Sequence, residues 1–249
     1  SRMNLGGKKP MKNFICQLNP LLLLLTASIA LAFTGAPALA GSPEGKTRVL
    51  LLGASVGKSW EVSGIPKRLN DNRFEFEAVQ AWKFDKTEAL DEVLMRPKTK
   101  FKPTKTYLKG FFEPSPLKPD VIVIKECAAY FPGDLPGYKE QVKKWVATIR
   151  AAGKKPVIAT VSPVTKARSL KGPGKIESIR EFNDWIREYA KSEKMPIVDL
   201  EAALRTDEND RFLKDEYSTD GTHLKRNAYD VLDKLLLDAA VKAVAAEGR

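Results

Sequence analysis

Three residues of this chain have the types and the order that nucleophilic catalysis needs. Ser55 follows the apolar stretch VLLLGA, and the single histidine, His223, lies far downstream in STDGTHLKRNAYDVL. Asp220 precedes His223 by three residues, and Gly221 permits a turn that returns the carboxylate to the imidazole. A serine hydroxyl attacks well when a histidine takes its proton and a carboxylate orients that histidine. The sequence therefore predicts a nucleophile, a base and an orienting acid.

Two other interpretations of these residues stay open at this point. The stretch LLLGASVGKSW, residues 50–60, has the general look of a phosphate-binding loop. Only three residues separate Gly53 from Gly57, however, where such a loop requires four. A lone histidine just before a helix can also be a structural cap that lies near an unrelated serine.

The apolar pattern predicts a scaffold in which strands and helices alternate. FEFEAVQA alternates in polarity, which is typical of a strand near the edge, whereas the other strand candidates are continuously apolar and indicate burial on both faces. Strands separated by helices form right-handed crossovers and a mostly parallel, doubly wound sheet, with working groups at the carboxyl ends of its strands. The predicted strands are 47–53, 74–81, 121–127, 156–164 and 195–200, and the predicted helices are 85–95, 138–153, 175–193 and 227–247.

The N-terminal part has the order of a secretory signal. A basic start at Met11-Lys12 precedes the apolar run LLLLLTASIALAF, and Ala38-Leu39-Ala40 ends it with a signal-peptidase pattern. The alternative is a membrane anchor, which needs about 20 apolar residues. We expect an upstream extension and signal over residues 1–40, one exported domain over residues 41–249, and a periplasmic or secreted location.

The net charge and the cysteine content limit which partners and which metal sites the chain can have. The formal net charge is +11, and four of the positive charges precede residue 13. The remaining excess suits an anionic envelope surface or an acidic polymer, although it can also serve solubility alone. Cys127 is the one cysteine of the predicted domain, and with a single histidine there is no set of metal ligands at zinc spacing. We expect no metal, no cofactor and no nucleic acid partner.

A basic segment interrupts the predicted domain at about residues 96–118. It reads RPKTKFKPTKTYLKGFFEPSPLK, with six lysines and arginines before the first acid at Glu113. The segment is either a solvated loop or an arm that contacts an anionic polymer. In the second case, its aromatic residues would add apolar contacts: Phe101, Tyr107, Phe111 and Phe112.

Two blocks of the chain resemble those of the SGNH/GDSL hydrolases. Gly53-Ala54-Ser55 resembles their Gly-Asp-Ser block, and residues 220–224 resemble their Asp-x-x-His block before the last helix. The stretches 160–164 and 182–200 resemble the family's fourth strand end and its following helix and strand, so the resemblance covers residues 46–245. It implies a three-layer α/β/α, flavodoxin-like fold with a five-stranded sheet. It also implies that Ser55 is the nucleophile, His223 the general base and Asp220 its orienting acid.

The chain departs from the family where the oxyanion hole is built. That family uses the serine N–H, a glycine after the second strand and an asparagine after the third. Here the second strand is followed by Ala81-Trp82-Lys83, and the third by Lys125-Glu126-Cys127-Ala128 in place of Gly-x-Asn-Asp. Glu126 suits a developing oxyanion only if a lysine pairs with it. The oxyanion or pocket candidates are Lys58, Trp82, Lys125, Glu126 and Cys127, of which Cys127 is expected to be buried or to line the pocket.

These observations favour an exported serine esterase that hydrolyses acyl or acetyl esters of a small molecule or a glycan. The alternative is an SGNH-like module with impaired catalysis that binds a glycan or an envelope partner through the same crevice. After removal of the signal, we expect no stable membrane span.

Overall fold

A single parallel sheet organises the part of the chain that the computed structural model describes, which is residues 45–95, 118–172 and 174–246. Its strands follow the order β2-β1-β3-β4-β5, which is the doubly wound order of the flavodoxin type. The predicted fold class is therefore confirmed. The strands are β1 Thr47–Gly53, β2 Phe74–Gln80, β3 Val121–Lys125, β4 Lys155–Ala159 and β5 Ile197–Val198.

Helices cover both faces of this sheet. The four long predicted helices are present, with ends shifted by a few residues, and four helices of five residues or fewer were not predicted. The helix predicted over residues 138–153 begins three residues earlier, at Leu135. Its start is set by the Asp134 side chain, which accepts the N–H of Gly137, and by Pro136, which fits the first turn. The helices are α1 Val56–Ser59, α2 Ile65–Leu69, α3 Lys86–Met95, α4 Leu135–Ala151, α5 Lys166–Ser169, α6 Lys175–Ser192, α7 Leu200–Leu204 and α8 Arg226–Ala245.

The central strands are buried on both faces, as their continuous apolar sequence predicts. Alternate residues of β1 enter two separate cores. Leu50 and Leu52 pack with residues of α3, α4 and α6, whereas Val49 and Leu51 pack with residues of α2 and α8. This alternation produces the three layers, and β2 lies at one edge of the sheet.

Four of the five predicted strands are too long, the second of them by one residue. The fifth covers only Ile197–Val198 instead of residues 195–200, because Asp199 accepts the N–H of Ala202 and caps α7.

The early ends of the third and fourth strands open the carboxyl edge of the sheet. The third strand ends at Lys125 instead of Cys127, since the chain turns there and the Tyr130 N–H donates to the Cys127 carbonyl at 3.0 Å. The fourth strand ends at Ala159 instead of Val164. Beyond it, the Asn183 side chain bonds both the N–H and the carbonyl of Val161, at 2.7 and 2.9 Å, and takes the place of a neighbouring strand.

Three candidate residues occupy equivalent places on adjacent strands. Ser55, Trp82 and Cys127 each lie two residues beyond the end of β1, β2 and β3. Since these strands are parallel neighbours, the three residues meet at one edge of the sheet. No helix in the described segments is both long and apolar enough to cross a bilayer. The predicted signal over residues 1–40 and residues 96–117 of the basic segment lie outside those segments, so both stay predictions.

Candidate active site

Ser55 occupies a turn between β1 and α1 whose backbone conformation is rare for a residue other than glycine. Its φ is 44° and its ψ is −74°, which costs about 1–3 kcal/mol at a non-glycine position. Ala54 and Val56 on either side are buried, whereas Ser55 itself is partly exposed. The turn therefore presents the serine at the open edge while its neighbours anchor the loop in the core.

The imidazole of His223 is oriented by Asp220. His223 Nδ1 and Asp220 Oδ2 lie 2.7 Å apart, and Asp220 Oδ1 accepts the backbone N–H groups of His223 and Thr222 at 2.8 and 2.9 Å. The bond from the His223 N–H, followed by that from its ring, holds the pKa of Asp220 well below its ordinary value. Asp220 is thus ionised and holds the imidazole at its Nδ1 atom, while the side chain of His223 is 51% exposed.

Gly221 makes this turn possible. Its φ is +89°, and a Cβ there would lie 2.8 Å from Arg168 Cβ and 2.9 Å from Thr165 Oγ1. The Gly221 carbonyl accepts the N–H of Thr165 at 3.0 Å, and its own N–H donates to Ser218 Oγ at 2.6 Å. The loop that carries the histidine is thereby fastened to the segment that follows β4.

The interpretation of His223 as a helix cap does not fit the structure. The last helix begins at Arg226, Lys225 occupies its N-cap position, and no side chain caps it. The polar contact of the imidazole is with Asp220 instead. For the phosphate-loop interpretation, the one-residue deficit between Gly53 and Gly57 still applies, and the helix that follows, α1, has only four residues.

Helices α1 and α8 bring the serine and histidine segments to the same place. Tyr229, near the start of α8, donates its hydroxyl to the Val56 carbonyl at 3.3 Å, and its ring lies 6.1 Å from that of Trp60. Burial raises the pKa of Tyr229 to about 12, so its hydroxyl keeps the proton it donates. Within the described residues, Ser55 and His223 share no direct hydrogen bond. Catalytic hydrogen bonds are often long in the absence of substrate.

A buried carboxylate connects α8 with the segment that follows Ser55. Asp233 on α8 accepts the Trp60 indole N–H at 2.8 Å and two N–H groups of Arg68, at 2.6 and 3.0 Å. Arg226, at the start of α8, donates to the same carboxylate at 3.3 Å. The hydrogen bond to Asp233 is the main cause that raises the pKa of Arg68. The position of α8 against the segment after Ser55 is therefore fixed by charge as well as by packing.

Cys127 contacts the candidate nucleophile. Its sulfur lies 3.5 Å from Ser55 Oγ, within the range of a hydrogen bond to sulfur, and its thiol is free and buried. This residue stands where the resemblance places the asparagine of the oxyanion hole. Of the two environments expected for Cys127, buried or lining the pocket, the structure gives it a buried position beside Ser55.

Two lysines and one glutamate are buried beside this contact. Glu126 is 1% exposed, and Lys86, with no exposed surface, places its ammonium 3.1 and 3.2 Å from the two carboxylate oxygens. Glu126 thus has the lysine partner that the sequence required of it. Lys125 is also 1% exposed and donates to the Glu126 carbonyl at 2.9 Å, and burial lowers the pKa of its ammonium.

Aromatic rings form the other side of the site. The Trp82 ring lies edge-on to Tyr130 with centroids 4.8 Å apart, and the Lys86 ammonium lies 5.2 Å from the centre of the Tyr130 ring. Phe84, which is 47% exposed, stacks on Tyr138 at 5.1 Å. Trp82 therefore lies at the carboxyl edge of the sheet, packed against Tyr130, whereas for Lys58 the structure gives the backbone position in α1.

The sequence did not identify the supporting residues Lys86, Asp233 and Tyr130. A lysine at the start of a predicted helix is normally solvated, and an aspartate in a long helix has no feature that indicates a buried partner. Only the need of Glu126 for a cation hinted at Lys86. Within the described ranges, no three His, Cys, Asp and Glu side chains are placed to hold a metal ion.

Solved structures of other proteins share this fold. A GDSL-like lipase from Bacteroides thetaiotaomicron superposes with a TM-score of 0.58 at 20% identity, over 82% of this chain and 93% of its own. The lipase/acylhydrolase from Enterococcus faecalis gives 0.54 at 17%, over 79% and 95%. An acetyl xylan esterase gives 0.57 at 13%, over 77% and 98%. At these identities, the likeness establishes a common fold.

Sequence comparison identifies the family. No curated protein matches this chain in sequence. The sequence model of the GDSL-like lipase/acylhydrolase family matches residues 102–231, which is more than half of the chain. The matched range contains Asp220 and His223 and begins after Ser55. The chain therefore belongs to the GDSL-like lipase/acylhydrolase family.

Proposed function

We propose that this protein is an exported serine esterase in which Ser55, His223 and Asp220 form the catalytic triad. Membership of the family supports acyl ester hydrolysis. The observation that carries the assignment of residues is the 2.7 Å contact of Asp220 with His223 Nδ1, in a loop that the hydrogen bond between Thr165 and Gly221 joins to the segment after β4. It leaves Nε2 available to a serine proton.

The reaction follows from these positions. Ser55 Oγ attacks the acyl carbonyl, His223 takes its proton, and the ionised Asp220 stabilises the imidazolium that results. The imidazolium then gives the proton to the departing alcohol, which leaves an acyl group on Ser55. His223 next removes a proton from the water that attacks the acyl group, and the imidazolium returns this proton to Ser55 Oγ as the carboxylic acid leaves.

An acyl or acetyl ester, such as one carried by a glycan, is the substrate that we propose. The half-exposed His223 lies at an open edge that a polymer can reach, and the exposed ring of Phe84 offers a face on which a sugar can pack. One protein of the same fold is an acetyl xylan esterase. The signal pattern over residues 1–40 supports export toward such polymers.

Turnover of p-nitrophenyl acetate tests this function. We expect Ser55→Ala and His223→Ala each to lower kcat by about a thousandfold or more, because triad members act as a unit. Ser63→Ala is the matched control, since Ser63 is exposed on the same connection after β1. Wild-type turnover that survives both triad substitutions contradicts the assignment. Absence of turnover in the wild type favours the alternative of a glycan-binding module.

A further inference from the structure

The structure offers a replacement for the asparagine that this chain lacks. We propose that the Cys127 thiol donates a hydrogen bond to the oxyanion, and that the buried Lys125 is the positioning residue that supports it. The inference rests on the proposed esterase function and specifies how its oxyanion hole is built. The two residues flank Glu126 at the carboxyl end of β3, in the block where the family pattern is lost.

Cys127 has the position that an oxyanion donor needs. Its sulfur is 3.5 Å from Ser55 Oγ, so a carbonyl carbon bonded to Oγ would bring its own oxygen near the thiol. A thiol is a weak donor, which makes the contribution smaller than that of an amide. The Cys127 thiol itself is buried, and a weak donor gains strength when its surroundings have a low dielectric constant.

Lys125 is a buried lysine whose hydrogen-bond donors are only partly used. An ammonium has three donors, and one of them reaches the Glu126 carbonyl at 2.9 Å. In the described part of the chain, Lys125 has no carboxylate partner, because the Glu126 carboxylate is bound by Lys86. Burying a lysine without a carboxylate partner is costly, and such lysines are commonly kept for function.

Among the described residues, Lys125 is the buried lysine next to the thiol that has no salt bridge to a carboxylate. Lys86 and Glu126 compensate each other, whereas Lys125 interacts electrostatically with Cys127, and its stem packs against Gly53 two residues before Ser55. When Ser55 adds to the acyl carbon, the carbonyl electron pair moves to oxygen and a negative charge appears there. Lys125 polarises the thiol toward that charge and anchors the Glu126 carbonyl that precedes Cys127.

Substitutions of Cys127 test the donor role. We expect Cys127→Ala to lower kcat for p-nitrophenyl acetate by about tenfold with little change in KM, which is below the loss for a full amide donor. Cys127→Ser has nearly the same size and keeps a proton donor, so it should retain wild-type kcat or exceed it. Cys127→Asn should also have a kcat above that of the wild type, because it restores the asparagine amide that the family uses in its oxyanion hole.

Lys125→Met separates a catalytic contribution from a structural one. Methionine fills the space of the lysine stem without its ammonium group. We therefore expect a more stable protein whose kcat falls by up to about tenfold. A merely structural lysine would lower stability and activity together. Thermal unfolding of each variant, measured beside turnover, provides this comparison.

Clear outcomes overturn the inference. Unchanged kcat in both Cys127→Ala and Lys125→Met, with the wild type active, refutes it and leaves the esterase assignment intact. A Cys127→Ser enzyme as slow as Cys127→Ala, or an acyl group found on Cys127 by mass spectrometry, refutes the donor role. A wild type that neither turns over esters nor reacts at Ser55 refutes the proposed function itself.

Discussion

Asp220, Gly221 and His223 form one turn, in which Asp220 accepts the backbone N–H of His223 and contacts its imidazole. The sequence reveals this turn because all of its partners are close along the chain. Lys86 pairs with Glu126 from 40 residues away, and this contact depends on how α3 packs on the sheet. Local chemistry was therefore predictable, whereas the buried charges that support it were not.

Gly221→Ala tests how closely the turn must be held. A Cβ would meet Arg168 and Thr165 at less than 3 Å, and a φ of +89° is unfavourable for alanine. We expect the variant to lose about 1–3 kcal/mol of unfolding free energy and at least tenfold in kcat. Gly153→Ala is a matched control, because Gly153 also has a positive φ but lies in open space after α4. A similar loss of activity in both variants would contradict the explanation.

The buried Lys125 predicts how stability varies with pH. Burial places its pKa in the folded protein below the 10.5 of an ordinary lysine, with Glu126, Lys86 and Cys127 as the other groups that act on it. Between these two pKa values the unfolded chain binds more protons, so stability rises with pH in that interval.

Chemical denaturation at a series of pH values measures this effect. Lys125→Met should be more stable than the wild type at neutral pH, and the difference should shrink as the pH rises toward 10.5. A difference that stays constant over this interval would show that Lys125 keeps its ordinary pKa.

At the scale of elements, the long segments follow from periodicity and the short ones do not. The predicted first strand, residues 47–53, coincides with β1, and the predicted helix 175–193 coincides with α6 apart from one residue. Helices α1 and α2 have four and five residues, too few to show a helical period, and the sequence around them contains Gly57 and Gly64. Tertiary packing decides their conformation.

Asp233 is the contact that places α8 against the serine segment. Asp233→Ala leaves Arg68 and the Trp60 indole without their buried acceptor, and we expect unfolding free energy to fall by about 3–5 kcal/mol. Asp238→Ala, on the same helix, is the control. Equilibrium unfolding in urea measures both variants, and equal stability of the two would contradict the role given to Asp233.

At the scale of the whole molecule, the order of strands was predictable because crossover rules leave few arrangements for alternating strands and helices.

The function of the basic segment at 96–118 rests on its sequence alone. We expect replacement of Lys98, Lys100, Lys102 and Lys105 by glutamine to weaken binding to an anionic polysaccharide and to flatten its salt dependence. Titration at two salt concentrations measures this, and unchanged binding would assign the segment to a solvated loop.

The central claim is that Ser55 is the nucleophile of an esterase. The most direct measurement treats the protein with a fluorophosphonate and locates the modified residue by mass spectrometry of its peptides. The account predicts one phosphonyl group on Ser55, with no labelling of Ser55→Ala and normal labelling of Ser63→Ala. Labelling of another residue, or none in a folded wild-type protein, would contradict it.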